Sequence, residues 1–265
     1  MLDFNLFLLP LLGFLIGMLV SILGGGGGGL YAPLLIILFG IPTQTAVATS
    51  LASVLPTTAA GAFSHYKEGN VDIRTGLTLG IGGILGTFIG VYIANMISPI
   101  LLRKFLGAFT LIMIFPMLRS ALKRRKTNYE FEKIDEKENH TKFKGFKRIL
   151  ASLFGIAGGI MAGVFGISGT PPVVSGLYSL GLPAILVVGT TVFVLIFNSA
   201  TGIVGYYLVG RLDIPLIILL GSGAVIGALI GPKLLKKIDP KTLEKIYAPL
   251  LVGISLILSL SLLLG

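Results

Sequence analysis

Residues 4–64 form a block of 61 positions without a single Lys, Arg, Asp, Glu or His. A block of that length is solvated by a lipid bilayer rather than by water. It contains six consecutive glycines, residues 24–29, between two apolar runs. In hydrocarbon each unpaired backbone N–H or C=O is costly, so non-helical backbone at that depth must face protein or a water-filled cavity. The glycine run therefore marks a candidate functional site.

Composition places the whole chain in the same class. Apolar residues make up 54% of the 265 positions, charged residues only 12%, and the mean hydropathy is +0.95. The apolar runs are continuous rather than alternating, which favours transmembrane helices over a transmembrane β-barrel. Cysteine is absent and there are only two histidines, so we expect no disulfide framework, no thiolate or all-imidazole metal site, and no cofactor.

The net charge of +10 is concentrated in one segment. Residues 119–148 hold 11 of the 21 Lys and Arg residues, together with five acidic residues. We interpret this segment as a solvated loop on the cytoplasmic side of the membrane. The acidic residues and the lack of an aromatic platform argue against nucleic acid as a partner and favour lipid headgroups.

The two halves of the chain repeat each other at a constant offset. Gly40-Ile41-Pro42 recurs 141 residues later as Gly181-Leu182-Pro183. The same offset pairs Gly17 with Gly158, Gly25 with Gly166, Gly28 with Gly169, Thr49 with Thr190, Gly69 with Gly210, and Asp72 with Asp213. We therefore predict a first membrane repeat over residues 1–118, the basic loop over 119–148 and a second membrane repeat over 149–265.

Each repeat contains five apolar segments, and the second segment is too short to cross a bilayer, which takes about 20 helical residues. Paired short segments at matching places in two halves are typical of a transporter binding site. Whether the first two segments of each repeat cross fully or form a re-entrant hairpin is open. The predicted segments are 4–23, 30–39, 44–63, 75–97 and 101–118, then 149–165, 172–180, 184–209, 214–235 and 243–263.

An odd number of segments per repeat inverts the second repeat relative to the first. With residues 119–148 in the cytoplasm, inversion also places Lys67, Arg74 and the five lysines of residues 233–245 there, as the positive-inside rule favours. We predict an all-α polytopic membrane protein of two inverted repeats, with both termini outside. Each repeat is expected to have a half-helix or broken-helix hairpin plus about three spanning helices, for about eight to ten membrane segments in total.

The glycine run and its counterpart are the candidate substrate site. The counterpart, residues 166–170, precedes two prolines, and Ser168 or Thr170 is the predicted N-cap of a short helix. A helix N-terminus offers unpaired N–H groups and the positive end of the macrodipole, so two such ends can converge on one small anion. The alternative is that these glycines only permit close helix crossing. The predicted substrate-binding residues are Gly26, Gly27, Gly28, Gly29, Thr49, Ser50, Ser168, Gly169, Thr170, Thr190, Thr191 and Asn198.

The hydroxyl groups in that set have a second interpretation, since Ser and Thr in membrane helices often bond to a carbonyl of their own helix. Asn198 is the only side-chain amide in residues 149–210; it lines the cavity or bonds across helices. His65 is either an interfacial residue or a proton-coupling group, because imidazole changes charge near neutral pH. Asp72 and Asp213 are expected to cap the fourth segment of each repeat.

Catalysis is not indicated. Intramembrane enzymes need carboxylates, histidines or nucleophile–base pairs at depth, and the ionisable side chains here lie near segment ends. The glycines do not form a P-loop or a dinucleotide-binding loop, because no strand precedes them and no Gly-Lys-Ser/Thr follows. We therefore expect a protein that is not an enzyme.

Four sets of residues together match the pattern of a known family. They are the glycine run followed by Pro33 and Gly40-Ile41-Pro42, Ala46-Val47-Ala48-Thr49-Ser50, His65 with Gly69-Asn70-Val71-Asp72, and Gly86 with Gly90. With these motifs the sequence resembles the sulfite exporter TauE/SafE family, also called the toluene-sulfonate uptake permease family, over nearly its whole length. The second repeat departs from the family pattern, with Ser168-Gly169-Thr170 where glycines are common and no proline at Val174.

The resemblance implies a secondary carrier of a small sulfur-containing or organic anion, such as sulfite, sulfoacetate or a sulfonate. We expect alternating access in a multi-pass protein of the cell membrane, with a small anion and the lipid bilayer as partners; a homo-oligomer is left open. The alternative is a channel-like or regulatory membrane protein that uses the glycine loops for conduction or packing.

Overall fold

The computed structural model describes residues 8–23, 28–126, 146–235 and 240–265, and the regular elements within these ranges are all α-helices. This confirms the predicted all-α class. In chain order the helices are α1 (Leu8–Leu23), α2 (Gly28–Phe39), α3 (Thr43–Lys67), α4 (Ile73–Met96), α5 (Pro99–Lys126), α6 (Phe146–Phe165), α7 (Thr170–Ser179), α8 (Ala184–Leu208), α9 (Ile214–Leu235) and α10 (Pro240–Leu264).

The helix boundaries follow the repeat found in the sequence. The first residues of α3, α4 and α5 each lie 141 positions before the first residues of α8, α9 and α10. The turns between the helices match as well: Gly69, after α3, and Gly210, after α8, both adopt positive φ, at 73° and 67°. Local backbone structure therefore agrees with the duplication in the sequence.

The second helix of each repeat is short, as predicted. Helix α2 has 12 residues and α7 has 10, which corresponds to about 18 and 15 Å against a hydrocarbon core of about 30 Å. Each ends one or two residues before a glycine with positive φ, Gly40 or Gly181, that is followed two residues later by a proline. Glycine in this conformation terminates a helix, and the proline starts the next element.

Three helices within the described residues are both long and apolar enough to cross a membrane, namely α3, α4 and α8. Large apolar side chains on α4 and α5 point away from the protein; Ile81, Tyr92 and Ile112 are each at least 60% exposed. An exposed apolar surface of this kind suits contact with lipid rather than with water. The fold is that of a polytopic membrane protein.

The predicted basic loop over residues 119–148 is partly helical. Helix α5 continues to Lys126 and α6 begins at Phe146, and residues 127–145 lie outside the described part of the chain. Lys, Arg and Leu are good helix formers, so the charged residues at the end of α5 extend the helix rather than stop it.

Glycines bring two helix pairs from different repeats into backbone contact, α4 with α6 and α1 with α9. In each contacting pair, a Cβ added at one glycine would collide with the backbone of the partner helix. The contacting pairs are Leu79 with Gly155, Gly83 with Gly159 and Gly90 with Ile160, and in the second seam Pro10 with Gly223 and Phe14 with Gly227. Residue numbers rise together along both seams, so each pair of helices runs parallel, and the two repeats are interleaved.

Equivalent helices of the two repeats run in opposite directions. Helices α3 and α8 cross at the centre of the bundle, where Leu51 faces Gly202 and Gly61 faces Val192. Numbers rise along α3 as they fall along α8, so the pair is antiparallel. Helices α5 and α10 are also antiparallel, because Arg103 lies near Gly265 and Gly107 near Ser259. Opposite directions of equivalent helices support the predicted inversion.

Candidate functional site

The loop between α6 and α7, residues 166–169, folds back inside the bundle. Gly166, Ser168 and Gly169 have φ values of 68°, 59° and 78°, so three of the four loop residues adopt a left-handed backbone conformation. An added Cβ at Gly169 would collide with the carbonyl oxygen of Gly158, and one at Gly166 would lie 2.7 Å from the carbonyl oxygen of Val47. Glycine is required at both positions because backbone approaches backbone there.

Two buried side chains hold this loop from opposite sides. The hydroxyl of Ser50, on α3, donates to the carbonyl oxygen of Gly166 at 2.8 Å. The amide nitrogen of Asn198, on α8, donates to the carbonyl oxygen of Ser168 at 3.0 Å. Both side chains are fully buried. The structure therefore brings Ser50, Ser168, Gly169 and Asn198 of the predicted set together, and it shows Asn198 bonding to a loop from another helix.

The predicted cap of α7 is wrong. The N-cap is Gly169, which makes no side-chain capping bond, and the hydroxyl of Ser168 donates instead to the carbonyl oxygen of Ile167 at 2.7 Å. The left-handed turn points Ser168 back along the loop, so its hydroxyl cannot reach the first turn of α7. Thr170 is the first residue of the helix, and the two prolines after it carry no N–H, so the first turn of α7 offers few donors.

Several fully buried polar atoms in the middle of the bundle have no hydrogen-bond partner. Three of them, Ser53 Oγ, Asn198 Oδ1 and Ser199 Oγ, belong to residues between the two contact points where α3 crosses α8. We call Ser53, Asn198 and Ser199 the central polar group. Buried polar atoms without partners are uncommon in folded proteins and mark places where water or a ligand binds.

Thr49, Thr191 and Thr87 likewise have a buried hydroxyl oxygen without a partner. Thr49 and Thr191 were expected from the sequence, whereas Ser53, Thr87 and Ser199 were missed. Each of the three missed residues is a small polar residue in an apolar helix. Sequence alone does not distinguish such a residue from one that bonds to its own helix, as Thr58 and Thr110 do here.

Thr190 has a different contact from the one expected of a ligand. Its hydroxyl oxygen accepts the backbone N–H of Asp72 at 2.9 Å, which ties the turn between α3 and α4 to the start of α8. The carboxylate of Asp72 accepts the N–H of Thr75 at 3.1 Å, and that of Asp213 accepts the N–H of Leu216 at 3.1 Å. The predicted capping roles of both aspartates are confirmed.

The first glycine run is described only in part. Gly26 and Gly27 lie outside the described residues, and α2 begins at Gly28. Among the described residues, no atom lies within 4 Å of a Cβ added at Gly29, so this part of the structure leaves open space beside the first turn of α2. The described contacts of residues 166–169 are with α3, α6 and α8, and convergence of the two loops on one anion stays a prediction.

His65 lies in the last turn of α3, beside the start of α8, where a Cβ added at Gly189 would lie 3.1 Å from its Cβ. Its Nδ1 atom is buried and has no hydrogen-bond partner. The residue is therefore packed between helices near one end of the bundle, away from the central polar group.

The known proteins that this chain is similar to are described as membrane transporters. The family model described as sulfite exporter TauE/SafE matches residues 9–258. The chain is 32% identical to the probable membrane transporter protein YdhB of Bacillus subtilis (strain 168), over 94% of this chain and 99% of that protein. It is 30% identical to the probable membrane transporter protein MJ0441 of Methanocaldococcus jannaschii, over 93% of each chain. No solved structure matches the chain. With these matches over nearly its full length, the chain belongs to the sulfite exporter TauE/SafE family of membrane transporters and is a multi-pass protein of the plasma membrane.

Proposed function

We propose that the protein is a secondary carrier of a small anion, either a sulfur oxyanion such as sulfite or an organosulfonate such as sulfoacetate, and that it works by alternating access. The observation that carries this proposal is the set of buried, unpartnered hydroxyl groups around the crossing of α3 and α8. Hydroxyl and backbone N–H groups donate hydrogen bonds to an oxyanion. Residues 4–64 and 149–210 contain no charged side chain, so these donors would bind the anion without a fixed cation.

The absence of charge from these blocks suits transport. A buried Lys or Arg would hold an anion strongly, because opposite charges attract strongly at low dielectric constant. Neutral donors bind more weakly and release more readily, which a carrier needs on both sides of the membrane. We infer that Ser53, Ser199 and Thr191 line the path of the anion and that the N-terminus of α2 contributes backbone N–H groups.

The arrangement of the helices supports alternating access. Inverted repeats that exchange their conformations are a common basis for this mechanism. The antiparallel pairs α3–α8 and α5–α10 relate the repeats in the required way. The turn after α3, with Lys67 and Arg74 beside it, then lies on the same side as the end of α5, and we assign that side to the cytoplasm because of the basic residues between 119 and 148.

Counterflow in proteoliposomes tests the proposal. Proteoliposomes that contain the protein and are loaded with unlabelled sulfite should accumulate labelled sulfite transiently. The flux should saturate as the substrate concentration rises. Flux that rises linearly with the gradient and shows no counterflow would favour the channel alternative. A thermal-shift screen against sulfite, sulfate, thiosulfate, sulfoacetate and simple carboxylates identifies the ligand, because a ligand that binds only the folded state raises its stability.

Two matched glycine variants test the role of α2. Gly29→Val places a side chain in the open space at the start of α2 and should weaken ligand binding at least tenfold while the protein stays folded. Gly253→Val is the control, because Gly253 in α10 also has no atom within 4 Å of an added Cβ. Equal affinity in both variants would remove the N-terminus of α2 from the site.

A further inference from the structure

One hydrogen bond between the repeats is present at one end of the bundle and missing at the equivalent place in the other half. In the first repeat, the N–H of Asp72 donates to Thr190 Oγ1 at 2.9 Å. The offset of the repeat pairs Asp72 with Asp213 and Thr190 with Thr49. Thr49 Oγ1 is fully buried, yet it has no partner.

The two turns are otherwise alike, so the difference does not come from their own folding. In the first turn the N–H of Asn70 donates to the carbonyl oxygen of His65 at 2.8 Å, and in the second the N–H of Arg211 donates to that of Tyr206 at 3.0 Å. Each turn has a glycine with positive φ and an aspartate that caps the next helix. The turns differ in peripheral bonds, since Thr75 Oγ1 donates to the carboxylate of Asp72 and Arg211 Nε donates to Asn95 Oδ1. Within the described residues, the bond from the aspartate N–H to a threonine of the other repeat is made by the first turn alone.

The packing of the helices shows the same asymmetry. Gly80 in α4 and Gly221 in α9 are equivalent positions. An added Cβ at Gly80 would lie 2.7 Å from the ring of Phe197 in α8, whereas one at Gly221 would have Ser53 in α3 as its neighbour at 3.9 Å. Helix α4 therefore packs closely on α8, and α9 packs more loosely on α3, which matches the bond that is made and the bond that is missing.

We propose that Thr190 and Thr49 are alternating latch residues of the transport cycle. In the described conformation Thr190 holds the turn at Asp72 and Thr49 is unengaged. In the conformation that opens to the opposite side, Thr49 Oγ1 accepts the N–H of Asp213 and Thr190 releases Asp72. Both are positioning residues, which act through the turns rather than by binding the anion. The proposal rests on the alternating access proposed above, because exchange of the repeats' conformations also exchanges these contacts.

The test uses the lack of cysteine in the chain. Val71→Cys places a single thiol in the turn next to Asp72, and its labelling rate with a maleimide in nanodiscs reports how often that turn is released. Thr190→Val removes the acceptor of the described state and should raise the rate about fivefold, the effect of one ordinary hydrogen bond on an equilibrium. Thr190→Ser keeps the hydroxyl and should restore the original rate.

The decisive variant is Thr49→Val. Thr49 lies in the second turn of α3 and Val71 lies in the turn after the last residue of that helix, so no local contact links them. Loss of the Thr49 hydroxyl destabilises only the opposite state and should lower the labelling rate of Val71→Cys about fivefold. The double variant should return towards the original rate. Thr110→Val is the control, because the hydroxyl of Thr110 bonds within its own helix.

An unchanged or increased labelling rate in Thr49→Val would overturn the latch. This outcome is distinct from failure of the proposed function, since counterflow by the protein with both threonines intact is measured separately. If counterflow is observed and Thr49→Val does not change the labelling rate of Val71→Cys, the carrier proposal is retained and the latch is rejected. Absence of counterflow, together with a linear flux, rejects alternating access itself and the latch with it.

Discussion

Asn198 has a structural role among the residues predicted for the site. Its amide nitrogen donates to the carbonyl oxygen of Ser168, both groups are buried, and no other side chain reaches that carbonyl within the described residues. Loss of the donor leaves a buried carbonyl oxygen without a partner, which costs about 1–3 kcal/mol. The loop that precedes α7 then loses one of its two side-chain anchors.

We expect Asn198→Ala to lower the stability of the purified protein by about 1–3 kcal/mol. Ser222→Ala is the control, because the hydroxyl of Ser222 is exposed and bonds to the carbonyl of Leu219 in its own helix; its effect should stay within about 0.5 kcal/mol. Thermal unfolding in detergent measures both. Equal melting temperatures would show that the bond from Asn198 does not hold the loop.

Residue roles were predictable only where local sequence fixes them. The capping by Asp72 and Asp213 follows from an acidic residue before a helix, and the structure confirms it. Thr190 and Ser50 looked alike in the sequence, yet one accepts a bond from a turn and the other donates to a loop. Which neighbour a hydroxyl meets depends on the rotation and packing of its helix, and a single sequence does not contain that information.

At the scale of helices, the glycine seam between α4 and α6 shows why the chain contains 37 glycines. Small residues let membrane helices approach until their backbones touch, and dispersion contacts then hold the helices together. A Cβ added at Gly86 would collide with the carbonyl oxygen of Ile156. The seam has no room for even one methyl group.

Gly86→Ala should therefore destabilise the protein by about 1–3 kcal/mol, the usual cost of overpacking a filled interior. Gly253→Ala should not destabilise it, because an added Cβ at Gly253 meets no atom within 4 Å. The comparison is made by thermal unfolding of the two purified variants. A loss of stability in both variants, or in neither, would contradict the assignment of Gly86 to a packed seam.

Helices themselves were well predicted. The predicted segments 184–209 and 214–235 correspond closely to α8 and α9, and both half-length helices were found, because glycine and proline mark their ends. The partners of the helices were not predicted. Nothing in the apolar runs shows that α4 contacts α6 rather than a helix of its own repeat, since lipid-facing and protein-facing surfaces are both apolar in a membrane.

At the scale of the whole molecule, the directions of the helices make a topological prediction. Helix α4 begins after the turn that holds Glu68 and ends before Ser98, so these two exposed residues lie on opposite sides of the bundle. In a chain without native cysteine, Glu68→Cys should react with an impermeant maleimide only from the cytoplasmic side. Ser98→Cys should react only from the outside.

Labelling in intact cells and in inverted vesicles measures the two variants. Arg211→Cys is the control for inversion, because Arg211 follows α8 as Asn70 follows α3 in the other repeat. Inverted repeats place Arg211 on the side of Ser98. Reaction of Arg211→Cys together with Glu68→Cys from the cytoplasm would instead indicate parallel repeats.

The interleaved seams also affect how the chain is made. Helix α1 packs against α9, so Gly13 meets Leu220 across most of the length of the sequence. During translation α1 enters the bilayer long before its partner has been synthesised. Its glycine-lined face is therefore exposed to lipid until α9 is inserted. Such distant pairing delays assembly to a late stage of biosynthesis. A ribosome that stalls before α9 would leave α1 in the bilayer without the helix that it packs against.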